Sequence, residues 1–287
     1  DRTLWHEYFP SVVESGPGAD VQQDDDNSAG AMSWGAIDGP DEEMNDYRVT
    51  SWAADYLRQE HDSPFFLACG IFRPHLPWNV PASYFEQYPL EEIVLPEVLP
   101  GDLDDVPAAG QFLADPGGFH ATILNSGNWA KAVQAYLACI SFVDAQVGRL
   151  LDALDASPHA GNTVIALWSD HGIHLGEKEH WHKSTLWEES GRAPLMIAAP
   201  GVTEGGSVCD TPIDLVNTYP TLADLCGLPI ASELDGVSLR PLLEDPEAAW
   251  DRPALTNFRD ANAVRYGQWR YIRYGDGSEE LYDHQAD

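Results

Sequence analysis

Two long stretches of the chain carry apolar residues at helical spacing. The first follows two plausible N-caps, Asn45 and Asp46, and its apolar positions stop before His61. The second keeps one apolar face from Trp129 to Leu154, which is about seven helical turns. We therefore predict two amphipathic helices, the second much longer than the first.

Three continuous apolar runs predict strands, at residues 65–72, 163–168 and 195–199. Runs of this length are typical of parallel strands that are buried on both faces. The first run opens into a loop that carries His75, and the second opens into residues 169–172. Ligands bind at the carboxyl ends of strands in α/β sheets. Both loops are therefore candidate parts of a functional site.

The two ends of the chain differ from this middle part. Residues 1–45 are rich in Gly, Pro, Asp and Ser, and we predict surface loops there. Residues 214–226 have the pattern of a short helix. Residues 263–274 alternate apolar and polar positions around a glycine, which predicts an antiparallel meander. We expect an α/β domain over residues 1–245, followed by a small antiparallel subdomain over residues 246–287.

The charge balance argues against one large class of partners. The 287 residues contain 47 Asp and Glu against 15 Lys and Arg, a formal net charge of -32. Such a surface repels phosphate backbones and anionic membranes, so nucleic acid is not expected as a partner. No apolar stretch approaches the roughly 20 residues that a membrane-spanning helix needs, so no membrane span is predicted.

The four cysteines show neither a metal-binding nor a redox spacing. None of Cys69, Cys139, Cys209 and Cys226 belongs to a C-x-x-C pair, which argues against a zinc ribbon and a thioredoxin-type motif. We expect buried free thiols. A bond between Cys209 and Cys226 stays open, because the sequence does not fix the distance between their Cα atoms.

Asp170 and His171 are the first candidates for chemistry. They are adjacent on the turn after a predicted strand and offer one carboxylate oxygen and one imidazole to the same point, which suits a divalent cation. A plainer interpretation is that Asp170 caps the next segment and His171 is a packed surface imidazole. A zinc site made from His171, His174, His180 and His182 also stays open by residue type.

Positive charge is concentrated just beyond this pair. Residues 172–184 contain three further histidines and two of the chain's three lysines, Lys178 and Lys183. In so acidic a chain, Lys183 near a metal and His75 would form a pocket for an anion, and an anionic ester is the natural occupant. The alternative is a solvated loop with unrelated charges.

Taken together, these strings resemble the C-terminal signature of the sulfatase family. The match comprises a strand, Ser-Asp-His-Gly at 169–172, His-Leu-Gly-Glu at 174–177, Trp-x-Lys at 181–183 and Ala-Pro-Leu-Met-Ile at 193–197. The Arg-Pro-His-Leu-Pro-Trp string at 73–78 is similar to an active-site loop of iduronate-2-sulfatase-like members. The resemblance spans most of residues 46–287. It implies an α/β fold with a doubly wound sheet of the alkaline-phosphatase type, incomplete at its N-terminus, and a small C-terminal antiparallel sheet.

The resemblance also implies calcium-dependent hydrolysis of a sulfate ester. Asp170 and His171 would be ligands of Ca2+. Lys183 would hold a sulfate oxygen and stabilise charge as the S–O bond breaks, and His75 would contact the sulfate or protonate the leaving alcohol. The implied substrate is a sulfated carbohydrate such as a uronate 2-sulfate. By analogy the protein is periplasmic or secreted, and its oligomeric state is not indicated.

The family's nucleophile is expected outside these residues. It is formylglycine, formed from Cys or Ser in a C/S-x-P/A-x-R motif. No Cys or Ser of the chain begins the full motif; the string from Cys69 has Arg73 in register but Ile71 where Pro or Ala is needed. We expect the nucleophile, and the paired aspartates that complete the metal site, upstream of residue 1. The chain is then expected to be a fragment that is inactive alone.

Two other functions stay open. The same metal and anion pocket could serve a phosphate or phosphonate ester, with a Thr or Ser nucleophile in the missing segment. The chain could instead be a non-catalytic, carbohydrate-binding remnant. A zinc protease built on His6-Glu7 is excluded, because no second histidine stands at the required spacing.

Overall fold

The computed structural model of the protein describes residues 6–7, 28–29 and 32–286. The α-helices of these residues are α1 (Asn45–Leu57), α2 (Ala82–Phe85), α3 (Ala108–Ala114), α4 (Ala121–Ser126), α5 (Trp129–Asp155), α6 (Glu188–Gly191), α7 (Thr218–Leu225) and α8 (Arg240–Glu244). The strands are β1 (Ser28–Ala29), β2 (Met32–Ile37), β3 (Trp78–Pro81), β4 (Ile165–Trp168), β5 (His174–Leu175), β6 (Trp181–His182), β7 (Leu195–Ala198), β8 (Ala254–Phe258), β9 (Ala261–Tyr266), β10 (Trp269–Arg273) and β11 (Glu279–Asp283). None of these helices is both long and apolar enough to cross a bilayer.

The described residues form two compact units. The first contains those up to Leu95 together with Gly117–Gly161, and the second contains Pro96–Pro116 together with those from Asn162 onward. The domain boundary predicted at residue 245 stays a prediction.

The first unit is built around α5, the long helix that the apolar spacing predicts. Phe142 of α5 is fully buried and meets the ring of Tyr84 edge-on, with centroids 5.5 Å apart. Helix α1 packs along α5. Strands β2 and β3 pair in parallel, with Trp34 opposite Trp78, and the buried Trp78 ring lies 5.5 Å from Tyr136 of α5. The loop that carries His75 therefore leads directly into this core.

The second unit has its core between α3, the segment around Trp187 and the C-terminal sheet. That sheet is antiparallel throughout, in the order β11-β10-β9-β8. The buried residues of this core are Leu103, Val106, Ala114, Leu186, Trp187, Ala261, Ala263, Ile272 and Tyr274. The turn between β9 and β10 uses Gly267 with φ of 53°, a conformation that glycine adopts readily. The predicted meander is confirmed, and β8 adds a strand that was not predicted.

The predicted strand over residues 65–72 is wrong. No described strand pairs with this segment, and its side chains alternate between half-buried and exposed, with Phe66 and Phe72 on the exposed side. An apolar run becomes a strand only where a neighbouring strand supplies hydrogen-bond partners for its backbone. Here the amides of Phe72 and Arg73 donate instead to the carboxylate of Asp46.

Two further predictions need correction. Strand β4 forms where predicted, but among the described residues it pairs only with β7, in antiparallel orientation, and its Trp168 is 46% exposed. It is therefore half-buried rather than buried on both faces. The loops predicted for residues 1–45 include β2, whose Met32 and Trp34 are buried. Residues 8–27 lie outside the described residues.

All four cysteines are free, but only Cys139 is buried. Burial raises the pKa of Cys139 to about 12, and burial together with the Asp46 carboxylate raises the pKa of Cys69 to about 11. Both thiols are therefore protonated at neutral pH and poor nucleophiles. The expectation of burial is wrong for Cys209 and Cys226, which are exposed and do not form a disulfide.

Candidate active site

The turn after β4 places Asp170 and His171 at the end of a strand, as the sequence predicts. The amide of Ser169 donates to the carbonyl just before β7 at 3.2 Å, which extends the β4–β7 pairing. The amide of Gly172 donates to Ser190 O at 2.9 Å. The backbone is thus held on both sides of the Asp-His pair.

Gly172 leaves no room for a side chain. A Cβ atom here would lie 2.1 Å from Glu189 O and 2.5 Å from Arg192 O, both of them backbone atoms. We expect Gly172→Ala to lower the free energy of unfolding by about 1–3 kcal/mol, the usual cost of overpacking. Urea unfolding measures this. Gly161→Ala is the control, since a Cβ at Gly161 meets no atom within 4 Å. Equal stability of the two variants would contradict the close contact.

His171 is oriented to bind a ligand through Nε2. Its Nδ1 lies 2.7 Å from Gly172 O, which only accepts hydrogen bonds, so Nδ1 carries the proton. Asp170 Oδ1 lies 3.7 Å from His171 Nε2, and the Asp170 side chain is 83% exposed. A carboxylate and an imidazole of fixed tautomer are donors that bind divalent cations. The two residues therefore fit such an ion and would supply two of its ligands.

Lys183 reaches the same point. Its Nζ lies 2.8 Å from His171 Nε2. Because an ammonium group only donates, Nε2 must accept, in agreement with a proton on Nδ1. The single lone pair of Nε2 serves either this hydrogen bond or a metal ion. Three of the four predicted site residues, Asp170, His171 and Lys183, thus converge in the second unit.

A short hairpin carries Lys183 to this position. Strands β5 and β6 pair antiparallel, with His174 opposite His182 and Leu175 opposite Trp181. Lys183 follows β6 directly, and the buried Trp181 anchors that strand. Strands of two residues are too short to predict from alternation. The sequence therefore indicated the residue but not the element that presents it.

His174 of β5 is a buried structural residue of this hairpin rather than a metal ligand. It is fully buried, with Nδ1 3.0 Å from Glu177 O and Nε2 2.9 Å from Thr185 Oγ1. Burial, and then the neighbouring His180, lower the pKa of His174 to about 3. The imidazole is therefore neutral near neutral pH.

The neutral buried His174 makes stability depend on pH. A histidine in the unfolded chain titrates near pH 6.5, whereas in the folded protein its pKa is about 3. Between these values the unfolded state binds the extra proton, so stability falls as pH decreases through this range, by up to about 1.4 kcal/mol per pH unit. We expect His174→Gln to have a flatter profile of unfolding free energy than wild type between about pH 5 and 6.5. Identical slopes in urea unfolding would show that His174 is not buried neutral.

The described residues do not form the zinc site that stayed open. Both ring nitrogens of His174 are engaged by protein atoms, and His180 has Nδ1 2.7 Å from Ala114 O and Nε2 3.0 Å from Lys183 O. Within residues 6–7, 28–29 and 32–286, no three His, Cys, Asp or Glu side chains are arranged to hold a metal ion. The zinc interpretation of His171, His174, His180 and His182 is therefore wrong for this part of the chain.

His75 lies in the first unit, on the exposed loop that leads into β3. Its amide donates to Phe72 O at 3.0 Å, and the two rings lie 4.7 Å apart. Its Nδ1 lies 2.8 Å from Leu76 O, so Nε2 is the nitrogen that can face a ligand. The expected contact with substrate stays a prediction.

Asp46 holds the loop of His75. It is 4% exposed, and its two carboxylate oxygens accept from Phe72 N at 2.8 Å and from Arg73 N at 3.1 Å. The prediction that Asn45 or Asp46 caps α1 is wrong, because the helix begins at Asn45 and no side chain caps it. Sequence reasoning missed the contact between Asp46 and the loop because 26 residues separate Asp46 from Phe72.

The segment after Lys183 is fixed to the C-terminal sheet. Trp187 Nε1 donates to Glu280 Oε2 at 3.0 Å, and the buried Arg270 guanidinium donates to Glu188. Burial alone would raise the pKa of Glu188, but Arg270 outweighs it and holds that pKa below its ordinary value. These partners lie 82 and 93 residues apart, and no local pattern in the sequence identifies them.

Two families match the chain along its length. Residues 3–228 match the family described as Sulfatase, and residues 176–287 match N-sulphoglucosamine sulphohydrolase, C-terminal. A sulfatase from Formosa agariphila is 42% identical over 257 residues, which cover 88% of this chain and 50% of the relative. Iduronate 2-sulfatase from Mus musculus is 32% identical over 235 residues, which cover 67% of this chain and 42% of the relative. The chain belongs to the sulfatase family, and it spans about half the length of the curated relatives that it matches.

Solved structures share the fold. The phosphonate monoester hydrolase from Silicibacter pomeroyi superposes with a TM-score of 0.77 at 23% identity, covering 88% of this chain and 56% of that one. A 2-O GAG sulfatase superposes with a TM-score of 0.67 at 22% identity, covering 85% and 58%. At such identities the likeness establishes the fold alone. The predicted alkaline-phosphatase-like α/β fold is confirmed.

Proposed function

We propose that this chain forms part of the active site of a sulfuric ester hydrolase that acts on a sulfated sugar such as a uronate 2-sulfate. The convergence of Asp170, His171 and Lys183 carries the proposal, with Lys183 Nζ 2.8 Å from His171 Nε2. A carboxylate, an imidazole and an ammonium at one point can bind a cation and an anionic ester side by side. Membership of a family of sulfate ester hydrolases supports the reaction class.

In this proposal Asp170 and His171 bind Ca2+. The ion, when bound, supplies positive charge to an oxygen of the ester. Asp170 offers the hard oxygen that calcium prefers, and Gly172 O fixes the tautomer in which His171 Nε2 can bind. Calcium is favoured over zinc because the neighbouring histidines His174 and His180 have their ring nitrogens engaged by the protein.

Lys183 binds a sulfate oxygen and stabilises the charge that develops as the S–O bond breaks. The residue is exposed, so an anionic oxygen can reach its ammonium group. A hydrogen bond to such a charged acceptor is stronger than the one to a neutral imidazole nitrogen. Because the net charge is -32, most of the surface repels a sulfate ester. The positive charge of Lys183 therefore directs the ester to this position.

We assign His75 to contact with the sulfate or to protonation of the leaving alcohol, through its Nε2. The proposed nucleophile is formylglycine. No Cys or Ser of the 287 residues begins the C/S-x-P/A-x-R motif, so the proposal assigns it to the part of the relatives' length that this chain does not span. The similarity to iduronate 2-sulfatase, and the fold shared with a 2-O GAG sulfatase, support a uronate 2-sulfate as substrate.

A phosphonate or phosphate ester is the second candidate substrate. The fold shared with a phosphonate monoester hydrolase favours it. A tetrahedral phosphorus group carries the same kind of anionic oxygens, so Lys183 and the metal ligands would serve it equally well.

The test is release of sulfate from uronate-2-sulfated disaccharides in the presence of calcium. The protein is expressed from its complete gene together with a formylglycine-generating enzyme. We expect release that is lost in Asp170→Ala and kept in Asp62→Ala, which alters an exposed carboxylate of the first unit. Turnover of phosphorus esters without sulfate release would favour the second candidate. Disaccharide binding without any turnover would indicate a non-catalytic protein.

A further inference from the structure

His180 connects Lys183 to a helix of the same unit. Its Nδ1 lies 2.7 Å from the carbonyl of Ala114, the last residue of α3, and its Nε2 lies 3.0 Å from the carbonyl of Lys183. The last carbonyls of an α-helix have no donor within the helix, and His180 Nδ1 supplies one. Because a carbonyl oxygen only accepts, both contacts are hydrogen bonds only when both ring nitrogens of His180 carry a proton. The ring thereby ties the backbone of Lys183 to the end of α3.

Both attachment points of this ring are held in place. Ala114 is fully buried in the core of the second unit. The ring of His180 meets the buried ring of His174 edge-on, with centroids 5.0 Å apart. His174 is in turn bonded to Thr185, two residues beyond Lys183. These contacts fix the orientation of the His180 ring.

The backbone on either side of Lys183 is strained. His182 has φ of 78° and Ser184 has φ of 85°, in the left-handed region that residues with a Cβ atom occupy at an energetic cost. Such conformations persist only where surrounding contacts hold them. At the carbonyl of Lys183, that contact is His180 Nε2.

We propose that His180 is a positioning residue for Lys183, and that by holding the Lys183 carbonyl it keeps the ammonium group beside His171, where it donates to Nε2 when no metal ion is bound there. The importance of this for catalysis rests on the proposed function, in which Lys183 binds sulfate. The positioning itself rests on the hydrogen bonds alone. Without the bond from His180 Nε2, the strained backbone relaxes and the ammonium leaves His171.

Two substitutions separate the two hydrogen bonds of the ring. Glutamine places its amide nitrogen about as far from Cβ as Nε2 of histidine, so His180→Gln keeps a donor to Lys183 O. Asparagine places its amide nitrogen near the Nδ1 position, so His180→Asn keeps only the donor to Ala114 O. Both variants lose the ring contact with His174. Each is therefore the other's control for packing and stability.

Lysine acetylation reports the position of Lys183, because the chain contains only three lysines, Lys131, Lys178 and Lys183. Limited acetylation followed by mass spectrometry gives the rate at which each lysine of the 287-residue chain is acetylated. In His180→Asn we expect the Lys183 rate to rise roughly fivefold, the factor that corresponds to one net hydrogen bond of about 1 kcal/mol. In His180→Gln we expect a rate close to wild type. The other two lysines should react equally in all three proteins.

Equal Lys183 rates in all three proteins, or equal changes in both variants, would overturn the positioning role. If neither variant folds, the positioning role is tested on the wild-type chain. Long-range 1H–15N spectra must then show a proton on His180 Nε2, because a bare nitrogen cannot donate to Lys183 O. Neither readout needs turnover. If acetylation responds as expected but Lys183→Ala keeps full sulfatase activity, the proposed function fails and the positioning stands.

Discussion

Lys183→Ala is expected to lower kcat/KM for sulfate ester hydrolysis about 10²–10³-fold, the usual loss when a preorganised donor to a developing charge is removed. The Lys183 ammonium lies 2.8 Å from His171 Nε2, and Asp170 Oδ1 lies 3.7 Å from the same nitrogen. The other lysine of this loop cannot replace it, because Lys178 Nζ lies 2.6 Å from Asp102 and both side chains are largely buried. Steady-state kinetics on an aryl sulfate, with the protein from its complete gene, measure the effect.

Two further variants show whether position or charge matters at this site. Lys183→Arg keeps the positive charge but replaces a compact ammonium with a planar guanidinium, so we expect an intermediate loss. Lys131→Ala removes a lysine of α5 in the first unit and should leave the kinetics unchanged. Full activity in Lys183→Ala, or an equal loss in Lys131→Ala, would refute the assignment of Lys183.

Asp46→Ala is expected to lower the free energy of unfolding by about 3 kcal/mol or more, because two hydrogen bonds to a charged group are lost at about 1.5–3 kcal/mol each. The carboxylate is 4% exposed and accepts from the amides of Phe72 and Arg73. Water does not readily replace a partner at a buried position. The loop that carries His75 loses its attachment at the same time, so under the role proposed for His75 the sulfatase activity should fall as well.

Urea unfolding of the 287-residue chain measures this effect. The matched control is Asp55→Ala in the same helix, where the carboxylate is 72% exposed and pairs with Arg58 at 2.8 Å. Surface pairs of this kind contribute about 0–1 kcal/mol, so Asp55→Ala should have little effect. Similar losses in the two variants would show that the Asp46 hydrogen bonds do not stabilise the protein.

Helices and strands that are specified by the residue pattern within their own segment could be predicted from the sequence. Helix α5 follows from apolar residues repeated over seven turns, and the β9–β10 hairpin from alternation around Gly267. Asp170, His171 and Lys183 were identified by residue type together with the resemblance to a family signature. Their convergence followed because the pair lies on the turn after β4 and Lys183 directly follows β6.

Features that depend on distant partners could not be predicted. The run at residues 65–72 has the composition of a central strand, but no described strand pairs with it, and its last amides bond to Asp46. The burial of His174 likewise depends on its contact with Thr185 and on the pairing of β5, which contains it, with β6. A histidine between two others has the same local pattern whether it binds a metal or fills a core. Only the residues that contact the histidine in the folded protein distinguish the two cases.

The most direct test of the proposed function compares kcat/KM for an aryl sulfate and for the matching aryl phosphonate monoester. The complete protein is used, with calcium and with its formylglycine formed. We expect the sulfate to be the better substrate, and its hydrolysis to be lost in Asp170→Ala. A preference for the phosphonate, or sulfate hydrolysis that survives in Asp170→Ala, would contradict a metal-assisted sulfatase site at Asp170, His171 and Lys183.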